Sequence, residues 1–388
     1  MEKIKLGDVA SVITKGTTPT SIGYSFIEKG INFIKIESIS EEGKFIKEKL
    51  AYISEDCHSK LKRSQLKEND ILFSIAGAIG RVAVVDNDII PANTNQALAI
   101  IRIDNRYDKE FLAFLLRSSY IKKQYNRKKQ GVAQINLSLK DISELEIPVI
   151  DIKKQIEIKE TLKKIIEIIT LKKGQIEKLD SIVKSQFVEM FQSGNYPKEE
   201  LGKLCDVRDG THDSPKYLEE SRYKFITSKN IINNEIDFSE VKYISKQDYD
   251  KFNTRSKVNY GDILMPMIGT IGKPMIVNIP DDEIDFAIKN VALIKFLGNS
   301  QVTNIYIKNL LDSDYFENAI LQNKRGGTQK FIALSDIRKM QVEIPPIELQ
   351  NQFADIVKQI DKQKFESVIK AEKEIEKIQK NIYYKWGR

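Results

Sequence analysis

Cysteine and histidine are scarce: two of each in 388 residues. Cys57 and Cys205 lie far apart in sequence, so neither a disulfide framework nor a cysteine-rich metal site is indicated, and a reducing interior suits the chain. His58 and His212 have no neighbours in sequence that would complete a metal site or a catalytic triad. No run approaches the roughly 18 apolar residues of a membrane span, and residues 1–7 lack the apolar stretch of a signal peptide. The expectation is a cytoplasmic protein. Gly77 to Gly80 and Gly269 to Gly272 lack the Gly-Lys-Ser/Thr ending of a Walker loop and the third glycine of a dinucleotide fingerprint, so a tight turn between strands is the better reading. Ile344-Pro345-Pro346-Ile347 lacks both the polar first residue and the aromatic last one of an amino-methyltransferase motif. Glu157-Ile158-Lys159 has the Glu-x-Lys form of a nuclease motif without a suitably spaced Pro-Asp. No catalytic residue, metal or cofactor is therefore expected in this chain.

What is present is length, local basic charge and a duplication. The chain is long enough for two or three domains, each burying its own core. Its net charge of +7 comes from 62 Lys and Arg against 55 Asp and Glu, which implies local basic patches of the kind a nucleic-acid binder uses. Asp70-Ile71-Leu72, Gly77, Ile79 and Gly80 recur as Asp262-Ile263-Leu264, Gly269, Ile271 and Gly272, 192 positions on. Gly131 and Gln134 with Leu139, Asp141 and Ile142 recur 195 positions on, as Gly326 and Gln329 with Leu334, Asp336 and Ile337. Leu6-Gly7, Gly16-Thr17 and Glu146-Ile147-Pro148 return as Leu201-Gly202, Gly210-Thr211 and Glu343-Ile344-Pro345. The order never changes, and the period is far too long for a solenoid. This is a tandem duplication of a whole domain with its appendage.

Each copy reads as mixed α/β, because β-rich runs at 32–36, 70–75, 82–85 and 97–103 alternate with Gly, Asn and Asp before helical spacing takes over at 109–124. After Pro148, and again after Pro345-Pro346, about 40 charged residues carry apolar positions three and four apart, and proline is well placed to start a helix. Ile158, Leu162, Ile165, Ile169, Ile176, Leu179, Val183 and Met190 form one seam, interrupted by Lys172; Phe353, Val357, Ile360, Ala371, Ile375, Ile378 and Ile382 form the other, interrupted by Lys364. Each helix would run about 60 Å, and the seams predict antiparallel packing, with independent amphipathic helices that each pack back on their own domain as the alternative. Ile166, Ile168 and Leu171 lie off the seam and suggest a second apolar face for a partner protein. The expected fold class is α+β: two similar mixed α/β domains at 1–150 and 196–345, and long helices at 151–195 and 346–388 packed as an antiparallel coiled coil with a pseudo-twofold axis.

Basic residues interleaved with Gly, Asn, Gln and Tyr recur in matching places, a combination that holds phosphates while short polar side chains reach base edges. Lys122 and Lys123 precede the candidate contacts Arg127, Lys128, Lys129 and Gln134; Lys324, Arg325, Thr328 and Gln329 are their counterparts. A second candidate is the early loop, with Lys15, Thr17 and Thr18 in one copy and Thr211, His212 and Lys216 in the other. Its flanks match and its middle does not, as expected of one frame carrying different reading surfaces and nearly as well of loops that have diverged without constraint. Lys35, Lys229 and Asn230 complete the candidate set.

With these blocks in order, the chain resembles the specificity subunits of type I restriction-modification systems over its full length. The carriers are the Asp-Ile-Leu block with its two glycines, the Gly-x-x-Gln block, and Ile344-Pro345-Pro346-Ile347-Glu348-Leu349-Gln350 with Gln352. Copy one departs from the last, since Ile147-Pro148-Val149-Ile150-Asp151 has one proline and Asp for Glu. The resemblance implies a non-catalytic subunit that binds double-stranded DNA at an asymmetric bipartite site, one half per domain, with the helices setting the spacer. It implies two modification subunits as partners, which carry S-adenosylmethionine and methylate adenine, and motor-nuclease restriction subunits that use ATP and Mg²⁺. A coiled-coil scaffold without a DNA role and a stand-alone DNA-modifying enzyme remain as alternatives.

Overall fold

Strands whose alternate side chains face different cores organise both copies. The computed structural model describes residues 2–127, 136–192, 194–232, 234–268, 272–298, 300–314, 316, 318 and 331–386, the last eight for backbone alone. The first copy contains β1 (Lys3–Lys5), β2 (Ala10–Lys15), β3 (Ile31–Ile34), β4 (Ala51–Ile53), β5 (Ile71–Ser74), β6 (Val82–Val84), β7 (Ala92–Thr94), β8 (Leu98–Ile103) and β9 (Glu146–Pro148). They form a four-stranded antiparallel sheet β2-β8-β5-β6, a three-stranded sheet β4-β3-β7 in which β3 and β7 run parallel, and the pair β1-β9. The second copy contains β10 (Lys198–Glu200), β11 (Cys205–Asp209), β12 (Lys224–Thr227), β13 (Ile231–Ile232), β14 (Glu235–Ile236), β15 (Lys242–Tyr243), β16 (Ile263–Pro266), β17 (Met275–Ile276), β18 (Phe286–Lys289), β19 (Val291–Phe296) and β20 (Gln341–Glu343). Its sheets are β11-β19-β16-β17, β15-β12-β18 and β10-β20, the same plan with one added hairpin, β13-β14.

Period-two alternation deals the side chains of one strand to two cores. Ile71 and Phe73 on β5 face the helices at 109–117 and 139–143, whereas Leu72 between them packs under β3 and β7. In the second copy Ile263 and Met265 take the first side and Leu264 the other. Part of the drift between the two copies is a bulge in β2, where Ala10 pairs with Ile103 and Val12 with Arg102, leaving Ser11 over. Beyond it the registers agree: Lys15 lies opposite Ala99 and Asp209 opposite Ala292.

The long helices run Ile152–Phe191 and Ile347–Trp386. The chain divides into two compact units, 1–169 with 374–388, and 170–373, so each unit holds one copy and part of both helices. Within the second unit the helices pair antiparallel: Lys364 bridges to Asp180 at 2.6 Å and Ser367 donates to Gln175 at 3.3 Å. Lys172 donates to Gln175 on its own helix, so both expected interruptions of the seam feed one polar layer. Burial disfavours the Lys364 charge, but hydrogen bonds to Asp180 and Asp361 more than compensate and raise its pKa.

The seam itself needs correcting at two points. Ile169 is 39% exposed, so the apolar line lapses there; Leu171, expected off the seam, is 60% exposed and lies off it. Toward the end of the first helix the buried set is Val183, Phe187 and Phe191, four apart, with Met190 only partly covered. That spacing is the physical reason for the miss: the helix end packs into a globular core, which follows the 3.6-residue period of a straight helix rather than a heptad. The side chain of Ile382 lies outside the described residues. Among the described residues, no helix is long and apolar enough to cross a membrane.

A buried glutamine ties each copy to the first turn of its own long helix. Gln155 Oε1 accepts from the Asp108 N–H (2.9 Å), and its Nε2 donates to the Arg106 and Ile150 carbonyls (2.9 and 2.7 Å). Gln350 repeats this 195 positions on, with the Thr303 N–H (2.8 Å) and the Gln301 and Pro345 carbonyls (3.0 and 2.9 Å). Asp108 also caps the helix Lys109–Arg117 by accepting from the Phe111 N–H and pairs with Lys159 at 3.0 Å. Burial pushes the Asp108 carboxyl up, but the Phe111 N–H and the Lys159 ammonium outweigh it and hold its pKa below the ordinary aspartate value. A depressed pKa contributes stability that is present above the unfolded value and is lost as pH falls through the folded one. In acid titrations of urea unfolding, Asp108→Asn is therefore expected to lower stability at neutral pH and to flatten the loss below about pH 4. Equal acid slopes for wild type and variant would show that the junction does not depend on this charge. The second unit has Thr303 at the capping position, with no proton to gain.

Candidate nucleic-acid interface

The early loop leaves its sheet at a glycine because the backbone must pass close to a neighbouring strand. A Cβ on Gly16 would collide with the Thr94 carbonyl, and one on Gly210 with the Ile288 carbonyl. The next residue is then pinned, with the Thr17 N–H donating to Thr94 (3.1 Å) and the Thr211 N–H to Ile288 (3.0 Å). A third fastening differs between copies. Thr18 donates to the Gln96 side chain, whereas His212 reaches Asn290 through Nδ1 (2.9 Å) and Asp209 through Nε2 (2.9 Å). The pins occupy equivalent places and use unrelated side chains, which is one frame with two different edges.

Two further residues belong at this edge. Arg63 donates to the Thr17 hydroxyl at 3.4 Å, and Arg255 pairs with Asp209. Each arginine directly precedes a buried serine, Ser64 or Ser256, and stands seven residues ahead of a buried aspartate, Asp70 or Asp262. The two arginines are 192 positions apart, the same offset as the Asp-Ile-Leu block, so extending that block toward the N-terminus would have found them. The aspartates are structural: Asp70 pairs with Arg102 at 2.6 Å and Asp262 with Lys295 at 2.5 Å, each across to the neighbouring strand.

The remaining candidates scatter. Lys15 ends β2 exposed, Arg127 ends the helix Ser119–Arg127 exposed, and Lys216 and Lys229 are exposed. Lys35 lies over the Phe26 ring, 4.3 Å from its centroid. Asn230 is not available to a ligand: it is buried, its Oδ1 accepts from the Thr227 N–H and hydroxyl, and its Nδ2 donates to the Asp237 carbonyl. Its amide closes a local turn, a use that asparagine's short side chain favours. Lys128, Lys129, Gln134, Lys324, Arg325, Thr328 and Gln329 lie outside the described residues. The chain just beyond them is fastened alike in both copies, Leu137 N–H to the Ile75 carbonyl (2.8 Å) and Ile332 N–H to the Met267 carbonyl (3.0 Å). In the first copy the glycine turn between β5 and β6 has positive φ at Gly77 and Gly80, and the Tyr125 hydroxyl fills the space a Cβ on Gly80 would need.

The model of the type I restriction modification DNA specificity domain matches this chain twice, over residues 1–181 and 195–377. The chain is 35% identical over 135 residues to the type I restriction enzyme EcoBI specificity subunit of Escherichia coli, covering 34% of this chain and 28% of that one. It is 23% identical over 408 residues to the provisionally named type I restriction enzyme MjaX specificity subunit of Methanocaldococcus jannaschii, covering 97% and 90%. The match thus spans less than a third of the E. coli relative and nearly all of the archaeal one. A solved chain from work on complex assembly and conformational transition of the type I R-M system is 16% identical, covers 99% of this chain and 96% of its own, and superposes with a TM-score of 0.55, a likeness of fold. One family domain falls on each copy of the duplicated frame, and the chain belongs to the type I restriction modification DNA specificity family.

Proposed function

We propose that this chain is the non-catalytic subunit that reads DNA for a type I restriction-modification complex, each unit reading one half of an asymmetric bipartite site. The observation that carries the reading is the repeated sheet plan with unlike side chains at one loop edge: Lys15, Thr18 and Gln96 in one copy, Asp209, His212 and Asn290 in the other. A shared frame delivers two loops to DNA in comparable poses, and different side chains there give each half its own sequence. Candidate contacts are Lys15, Thr17, Thr18, Lys35, Arg127, Thr211, His212, Lys216 and Lys229 among the described residues, joined by Arg63 and Arg255.

The long helices would set the unread spacer and dock two modification subunits, which bring S-adenosylmethionine; restriction subunits would add ATP- and Mg²⁺-dependent cleavage. Exposed Ile166, Leu171 and Phe365 on these helices favour protein partners. Such a complex acts on cytoplasmic DNA. Methylome sequencing of cells carrying the chain with its modification subunit tests the reading. The expected result is adenine methylation in two unequal specific blocks separated by a fixed unread gap; a contiguous or palindromic motif, or none, rejects it.

A further inference from the structure

We infer that the cleft beside Arg63 is a seat for one backbone phosphate of DNA, and that the equivalent place in the second unit is held by the chain's own carboxylate, Asp209. The inference rests on the DNA-reading function proposed above. Its basis is a reversal of charge at one position of a common frame. Lys15 and Asp209 end equivalent strands, each opposite an alanine and each followed by the Gly-Thr pair of the early loop. Arg63 and Arg255 arrive at that loop from the same distance ahead of their buried aspartates.

In the second unit Asp209 is enclosed, with 9% of its side chain exposed, and takes Arg255 on Oδ1 and His212 on Oδ2. A carboxylate held by a guanidinium and a ring N–H is bonded much as a phosphodiester oxygen pair would be, since arginine's fork suits both anions. In the first unit the acid is replaced by lysine. Among the described residues no carboxylate pairs with Arg63, Lys15 or Lys60, and the Arg63 guanidinium has only the long bond to Thr17. It borders a cleft of about 450 Å³ whose walls include Thr17, Tyr24, Lys60 and Ser64. None of the residues that line the cleft is acidic, and the Tyr24 hydroxyl on its wall donates to Asp56. The first cleft is thus cationic and free to take an anion, whereas Arg255 must exchange Asp209 for a phosphate.

The two units therefore contribute unequally to the salt dependence of binding. Log K falls as log salt rises, and each phosphate neutralised by a protein cation adds about 0.9 to the steepness of that fall, the salt slope −∂log K/∂log[salt]. The test measures anisotropy of a mixed-sequence fluorescein-labelled duplex of about 30 base pairs with the full chain, between about 50 and 200 mM salt. Arg63→Ala is expected to lower the slope by about 0.9, Arg63→Lys to keep it, and Arg255→Ala to change it by less than half as much. Lys15→Asp, which transplants the second unit's acid into the first, should lower the slope at least as far as Arg63→Ala. Asp209→Asn should raise it by about 0.9 by releasing Arg255. Wild-type slopes in Arg63→Ala and Lys15→Asp overturn the phosphate seat, and an unchanged slope in Asp209→Asn overturns the internal carboxylate. Absence of DNA binding by the wild-type chain at the lowest salt rejects the DNA-reading function itself.

Discussion

Phe353→Ala is expected to destabilise the second unit by about 3–5 kcal/mol, while Phe365→Ala, the same change one helix segment away, should cost less than about 0.5 kcal/mol. Phe353 is wholly buried where both long helices and the helix Asn304–Leu311 meet, and Phe365 is 66% exposed. Around Phe353 the rings of Phe187 and Phe191 stand 5.5 and 5.4 Å away, and Phe191 meets Tyr306 edge-on at 4.9 Å. Tilted and edge-to-face pairs at such distances each add about 0.5–1.5 kcal/mol beyond the area they bury. Four rings packed together leave little freedom to collapse into the space of a missing one, so the cavity term stays large. Since a domain's net stability is about 5–15 kcal/mol, the loss removes a substantial share. Urea unfolding followed by circular dichroism distinguishes the two variants. Similar midpoints would mean that the helices are not anchored through this cluster.

The duplication was legible because its blocks carry rare combinations in fixed order: an aspartate before an apolar strand, two glycines after it, a glutamine further on. Each combination has a structural demand behind it, such as the buried ion pair of Asp70 or the close passage at Gly16. Sheet order was not legible. The parallel pairing of β3 with β7 joins segments some sixty residues apart, and nothing in either strand's own pattern names its partner. Arg63 and Arg255 are legible only as an extension of the aspartate block, seven residues ahead of it at the same offset of 192, because the residues between carry no shared motif of their own. Asn230 was not legible, because an exposed asparagine and one that closes a turn look the same in sequence. In the same way a heptad fits the first helix as far as Met190 in sequence, although Phe187 and Phe191 mark a change of partner near its end.

One substitution of Tyr across the repeats shows how far the frame tolerates change. Tyr107 donates to the Pro148 carbonyl at 2.8 Å, and Tyr306 donates to the Glu343 carbonyl at 2.9 Å. The two carbonyls are equivalent, because the registers of β1-β9 and β10-β20 set Glu146-Ile147-Pro148 against Gln341-Val342-Glu343, which corrects by two residues the match with Glu343-Ile344-Pro345 expected from sequence; the tyrosines are not equivalent, since the counterpart of Tyr306 is Phe111, one turn beyond Tyr107. The acceptor at the helix entry is kept while its donor has moved. What the frame requires at this junction is a satisfied carbonyl, whichever side chain supplies the proton.

The same requirement makes Gln350→Leu the other large effect. Leucine nearly conserves the volume, and in an apolar site the exchange would be mild. Here it orphans the Thr303 N–H and the Gln301 and Pro345 carbonyls at a position with no exposure. Each buried group left without a partner costs about 1–3 kcal/mol, so the sum is expected to rival Phe353→Ala. Gln350→Ala should be no worse than leucine, because the vacated space admits a water that can re-pair the backbone groups. That ranking inverts what hydrophobic packing alone predicts. Amide exchange at Thr303, and at Asp108 in Gln155→Leu, reports the loss locally, and urea midpoints report it globally. A leucine variant as stable as wild type, with Thr303 still protected, would show that the helix entry is held by packing alone. If the exchange does rise, the first turn of the helix has loosened at the point where it leaves the sheet. In the proposed function that loosening blurs the gap between the two half-sites while leaving each reading loop untouched.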